Sequence, residues 1–219
     1  MNRRAVAASC LFASLVLHLA SYFIRPSGSE GSAATQLATA AAHPTATAAA
    51  ALVETLGWVL LLPALMVLWS ELRGRGRVLV GIGVWGAVLG VLGFTAGGVL
   101  NVISVDLARS RGGLAVYGAI QHDTVVFSVF VLAIMLGLVA LVVLLAGVAR
   151  AGLGGWWLPV AGAVSVIGDQ ATGDSSNPLL LSAVFVPMAV ALAVVGTRLL
   201  GGSPADVPAG TGTPAPAAV

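Results

Sequence analysis

The sequence predicts an all-α fold: a polytopic membrane protein arranged as a six-transmembrane-helix bundle. Three observations carry this. Of 219 residues, 58% are hydrophobic and only 8% charged, with a mean hydropathy of +1.03, whereas a soluble domain carries about 25% charged residues. No charge occurs from Val78 to Asn101; as a helix rising ~1.5 Å per residue, that run exceeds the roughly 30 Å of a bilayer's hydrocarbon core. Inside it, Gly83, Gly86, Gly90, Gly93 and Gly97 recur at spacings of three and four. That puts them on one helix face, where another backbone can approach closely.

The elements follow in order. The first span, about 5–24, comes after Asn2-Arg3-Arg4. Its ~20 apolar residues exceed the 7–15 of a signal-peptide core, which favours an uncleaved helix over a signal peptide cut in the small-residue stretch behind it. Cys10 is the single cysteine and has most of the apolar run after it rather than before it, which argues against lipidation, and a single cysteine excludes an intrachain disulfide. Residues 25–46 read as an external linker with little fixed structure. The second span, about 47–70, contains Pro63, which removes one helical hydrogen bond and bends the helix. A basic turn from Glu71 to Arg77 leads into the glycine-rich third span, 78–101.

Residues 102–122 are too polar in their middle (Asp106, Arg109, Arg111) for hydrocarbon. The fourth span, 124–149, is the most apolar, and Asp123 is placed to cap it. The fifth, 156–168, is short for a crossing. The sixth, 178–199, has Pro178 in its first turn and Pro187 near its centre. Residues 201–219 read as a disordered cytoplasmic tail, leaving 1–200 as the membrane domain.

Short-loop arginines set the orientation. With both termini inside (N-in/C-in), the inner side holds Arg3, Arg4, Arg73, Arg75, Arg77, Arg150 and Arg198, and the outer side Arg25, Arg109 and Arg111. Tyr22 and Tyr117 then fall at the outer boundary, and Trp69, Trp156 and Trp157 at the inner one. Every basic residue is Arg and none is Lys, a compositional sign of a GC-rich bacterial genome, so the expected location is the bacterial plasma membrane. A pI near 9.3 does not imply nucleic acid, because the arginines sit at the ends of apolar segments. The expected partners are the bilayer and a membrane protein or second copy.

Ionisable residues within spans are functional candidates by default. His18 and Glu54 lie at similar depth on sequential antiparallel helices, roughly 10 Å below the outer surface. Cys10, Ser14, His18 and Ser21 form one small polar stripe; Ala50, Glu54, Gly57 and Ala64 form another. A direct His18–Glu54 contact follows from this placement. It serves either as a polar clamp between the helices or as a ligand or proton site. Asn101, Gln121, His122, Asp123, Asp169, Gln170 and Asp174 gather at the same end, as ordinary polar helix ends or as the rim of an outer vestibule. The glycine face is expected to receive the first two spans, with Gly90→Leu far more damaging than Val91→Leu.

No enzyme pattern is met. Only His18 lies clearly within a span, against the paired histidines of haem bundles. No histidine follows position 122, as an intramembrane serine protease needs, and there is no Gly-Lys phosphate loop, H-E-x-x-H or metal cluster. No cofactor is expected. The basic N-terminus, Glu54 near the start of the second span, and a basic turn before a glycine-rich third resemble six-helix membrane proteins common in actinobacterial genomes. That resemblance implies a fold and no activity. The expected role is a non-enzymatic scaffold, accessory or sensing component; the alternative is a small-molecule or proton-coupled transporter.

Overall fold

The computed structural model describes residues 2–27, 29, 31–72, 74–122, 124–172, 175 and 177–201. Asp123, Asp174, Arg73 and the predicted tail from 202 onward lie outside them. The described helices are α1 (Arg3–Ile24), α2 (Ala33–Ala42), α3 (Pro44–Glu71), α4 (Arg77–Leu107), α5 (Gly113–His122), α6 (Thr124–Arg150), α7 (Trp157–Thr172) and α8 (Pro178–Gly201). Helix starts use local chemistry: the side chains of Asn2 and Ser32 accept the Arg4 and Thr35 amides. Asn177 accepts the Leu179 amide ahead of α8. Five helices, α1, α3, α4, α6 and α8, are long and apolar enough to cross a membrane. The chain is a multi-pass membrane protein.

Six helices close a ring in chain order. α1 packs on α3, α3 on α4, α4 on α6, α6 on α7, α7 on α8, and α8 returns to α1. Ion pairs tie both ends of α1 to antiparallel α3, Arg4 with Glu71 and Arg25 with Glu54. Between them runs an apolar core that includes Leu61, Leu65, Leu68, Leu144, Leu145, Leu192 and Val195. Large apolar side chains such as Val16, Leu52, Leu92, Val129 and Val190 point outward, as a lipid-facing surface requires.

The glycine stripe meets α6, not the first two spans. A Cβ on Gly83 would strike Leu144, on Gly86 Ala140, on Gly93 Ile134 and on Gly97 Phe130, while one on Gly90 would lie 2.5 Å from the Gly137 Cα. Periodicity fixes which residues share a face but not which neighbour receives it, and α6 brings its own small residues, Gly137 and Ala140, to match. α3 takes the adjacent face of α4, where Gly98 lies against Thr55 and Ala51. The turn before α4 depends on Gly76. Its φ of 92° is in the left-handed region and the Gly147 carbonyl lies against it, so any side chain there is both strained and blocked.

Two loop expectations are corrected. The 25–46 segment holds α2, and α4 runs on past Asn101 to Leu107 before α5. Small-residue composition read as unstructured because the partner is remote in sequence: Leu37 and Ala40 of α2 are buried in the layer α2 forms with α4 and α5. Tyr117 does not sit at a lipid boundary; it is buried at 1% exposure, and its hydroxyl donates to Gln36 Oε1 at 2.7 Å. Gln121 donates to the same oxygen at 2.9 Å. Tyr117→Phe should therefore cost about 1 kcal/mol and raise protease cleavage within 25–46. Unchanged cleavage would mean that apolar packing alone holds α2.

Candidate functional site

All six ring helices contribute to a cavity of about 230 Å³ near the Arg25 end. α1 supplies His18 and Tyr22, followed by Arg25; α3 supplies Glu54 and Trp58; α4 supplies Phe94. α6 adds Leu138 and Leu141; α7 adds Ser165 and Asp169; α8 adds Phe185 and Met188 among others. The charged side chains are on turns nearer the Arg25 end, and the deeper wall is aromatic and aliphatic. One turn beyond Trp58, Leu141 and Met188 come Leu61, Leu145 and Leu192, all buried core residues.

Local structure explains each placement. Ser14, His18 and Ser21 lie on one buried face of α1, and Gly57 of α3 leaves the room that the His18 ring occupies. His18 Nδ1 donates to the Ser14 carbonyl at 2.9 Å. A carbonyl only accepts, so Nδ1 carries the hydrogen and, in the neutral ring, Nε2 is an acceptor. The ring lies edge-on to Trp58, with centroids 4.4 Å apart, and stacks on Phe185 at 5.5 Å. Trp58 in turn stacks on Phe94 at 3.9 Å. Pro187 lies inside the continuous helix α8, and the next amide, that of Met188, donates to Ser165 Oγ at 2.9 Å. This bond ties α7 to α8 at the cavity wall.

The expected His18–Glu54 contact does not form. Glu54 Oε2 accepts from Arg25 Nη2 at 2.5 Å, and Arg25 also lies over the Tyr22 ring, 6.0 Å from its centroid. A permanent guanidinium charge outcompetes a neutral imidazole for the carboxylate, and the His18 Nδ1 hydrogen is already given to its own helix. Arg25 is the site residue that reading spans alone missed. It stands just past the end of α1, although its position across from Glu54 on an antiparallel helix was available as a signal.

Asp169 lines the cavity one residue past the apolar run 156–168. Its Oδ2 accepts a hydrogen bond from Gln170 Nε2 at 3.4 Å. Two ring nitrogens of cavity-lining residues, His18 Nε2 and Trp58 Nε1, are buried and have no hydrogen-bond partner among the described residues. Such groups are costly when left unpaired.

The remaining candidates separate. Asn101 is solvent-exposed and lines a smaller cavity of about 90 Å³ with Gln36, Ser104 and Tyr117; Arg25 and Glu54 line both cavities. Asn101 thus lines a second cavity that Glu54 also borders, and it does not line the cavity that holds His18. His122 is exposed at the end of α5 and lines neither cavity. Among the described residues no group of three His, Cys, Asp or Glu side chains could hold a metal ion. No family model, curated protein or solved structure matches the chain.

Proposed function

We propose that the protein is a non-enzymatic sensing or accessory component of the bacterial plasma membrane that binds a small ligand from the outer side. The observation that carries this is the cavity itself. It is polar around Arg25, Glu54 and Asp169 and stops in apolar core at the level of Trp58 and Leu141. A transporter needs a polar route onward past the prolines. Pro63 is exposed on the outer face of α3, and neither Pro63 nor Pro187 lines the cavity.

In this reading α7 is the sixth crossing and both termini are inside. Its 16 residues reach about 24 Å as a helix, short of the ~30 Å hydrocarbon thickness, which is why length alone does not mark it as a span. Its place between α6 and α8 in the ring supports a crossing, as does the outward stripe Val160, Val164 and Ile167.

Cysteine labelling tests both points. In a Cys10→Ala background, Leu181→Cys at the cavity should react with a membrane-impermeant thiol reagent from the outer side only, and Leu192→Cys in the core from neither. Ser175→Cys should label from outside and Leu153→Cys from inside. Reaction of position 192 from the inner side would favour transport, and labelling of 153 and 175 from one side would remove the sixth crossing.

A further inference from the structure

We propose that the main cavity selects a small organic cation, a primary ammonium carried on a short apolar body. The inference rests on the reading of this cavity as a ligand site and names the class of ligand. Charge is the first argument. Among the described residues the lining holds one guanidinium and two carboxylates, so one negative charge is left over. Arg25 is committed to Glu54, and Asp169 has no ion-pair partner among the described residues; its neighbour is the neutral amide of Gln170 at 3.4 Å.

Hydrogen-bonding capacity is the second argument. His18 is buried at 4% exposure, and its Nε2 is an acceptor without a donor among the described residues. An ammonium group offers N–H donors to this nitrogen and charge to Asp169. The Trp58 N–H, likewise unpartnered, is available to a ligand oxygen or a water that accompanies the ligand. An anion would meet Asp169 with Arg25, the one lining guanidinium among the described residues, already engaged. A purely apolar ligand would leave the His18 and Trp58 nitrogens unpaired.

Shape and size are the third. Phe94, Leu138, Leu141 and Met188 give the ligand body an apolar wall, and aromatic rings tolerate a nearby cation. A volume of about 230 Å³ corresponds to roughly seven or eight waters at about 30 Å³ each, enough for a ligand of about ten non-hydrogen atoms.

Calorimetric titration of the full chain in lipid nanodiscs tests this with three probes of one shape: phenethylammonium, 2-phenylethanol and phenylacetate. Saturable binding of phenethylammonium is expected, with about tenfold or greater preference over the neutral alcohol and none for the acid. Asp169→Asn should lose about tenfold or more in affinity, and Asp169→Glu should retain binding with an unchanged melt. Equal affinity for the alcohol or the acid would overturn the inference, as would an Asp169→Asn variant that binds like the parent, or no saturable binding of phenethylammonium. Tight alcohol binding would sink the cation preference yet leave the ligand site standing. The labelling experiment fails or succeeds independently of any probe's charge.

Discussion

Gly90→Leu is expected to separate α4 from α6 and to cost about 3 kcal/mol or more, at or beyond the upper end for overpacked cores. A single Cβ at Gly90 already falls 2.5 Å from the Gly137 Cα, and leucine adds three further carbons in the same direction. The obstacle is backbone, which cannot rotate aside as a side chain could. Because α4 and α6 form the most extensive helix pair of the ring, a displaced α6 also removes Leu138 and Leu141 from the cavity wall. The matched control is Leu92→Val. Leu92 is 62% exposed, whereas Val91, which lies off the glycine stripe in sequence, is buried at 3% in the core and so cannot serve as the tolerant position. Thermal unfolding in detergent should show a large loss for Gly90→Leu and a change within about 0.5 kcal/mol for Leu92→Val. Equal melts would mean that the stripe faces lipid.

Gly57→Val is expected to be the second largest lesion, at about 2–3 kcal/mol, because it fills the space held by the His18 ring. A Cβ at position 57 would lie 2.7 Å from His18 Nδ1 and 3.3 Å from the Ser14 carbonyl oxygen. His18 has no easy retreat: Nδ1 is bonded within α1, and Trp58 and Phe185 hold the ring. The effect should be coupled. In a double-mutant cycle, His18→Ala should recover most of the loss caused by Gly57→Ala, since it removes the clashing ring. Strictly additive losses would show that position 57 acts through some other neighbour. Leu56→Val, at a half-exposed lipid-facing position, should be nearly silent and report any general weakness of α3.

The sequence alone was enough for properties that depend on near neighbours along the chain. Low charge and uninterrupted apolar runs specify membrane helices. The three-and-four spacing of Gly83 to Gly97 specifies a close-packing face, and the spacing of Ser14, His18 and Ser21 specifies one face of α1. All of these follow from helix geometry and the bilayer's intolerance of charge. The 25–46 segment was not legible in this way: Leu37 and Ala40 become ordered by burial in the layer with α4 and α5, and Gln36 by a hydroxyl 81 residues away.

Only the tertiary structure decided partners. It gave the glycine face to α6, gave Glu54 to Arg25 instead of His18, moved Asn101 to a second cavity, and joined His18, Trp58 and Asp169 around the first. The physical reason is that a helical period defines a face without defining what covers it. In a ring of helices with similar apolar surfaces, the choice falls to steric match between small residues and to competition among polar groups for the few strong partners inside the bundle.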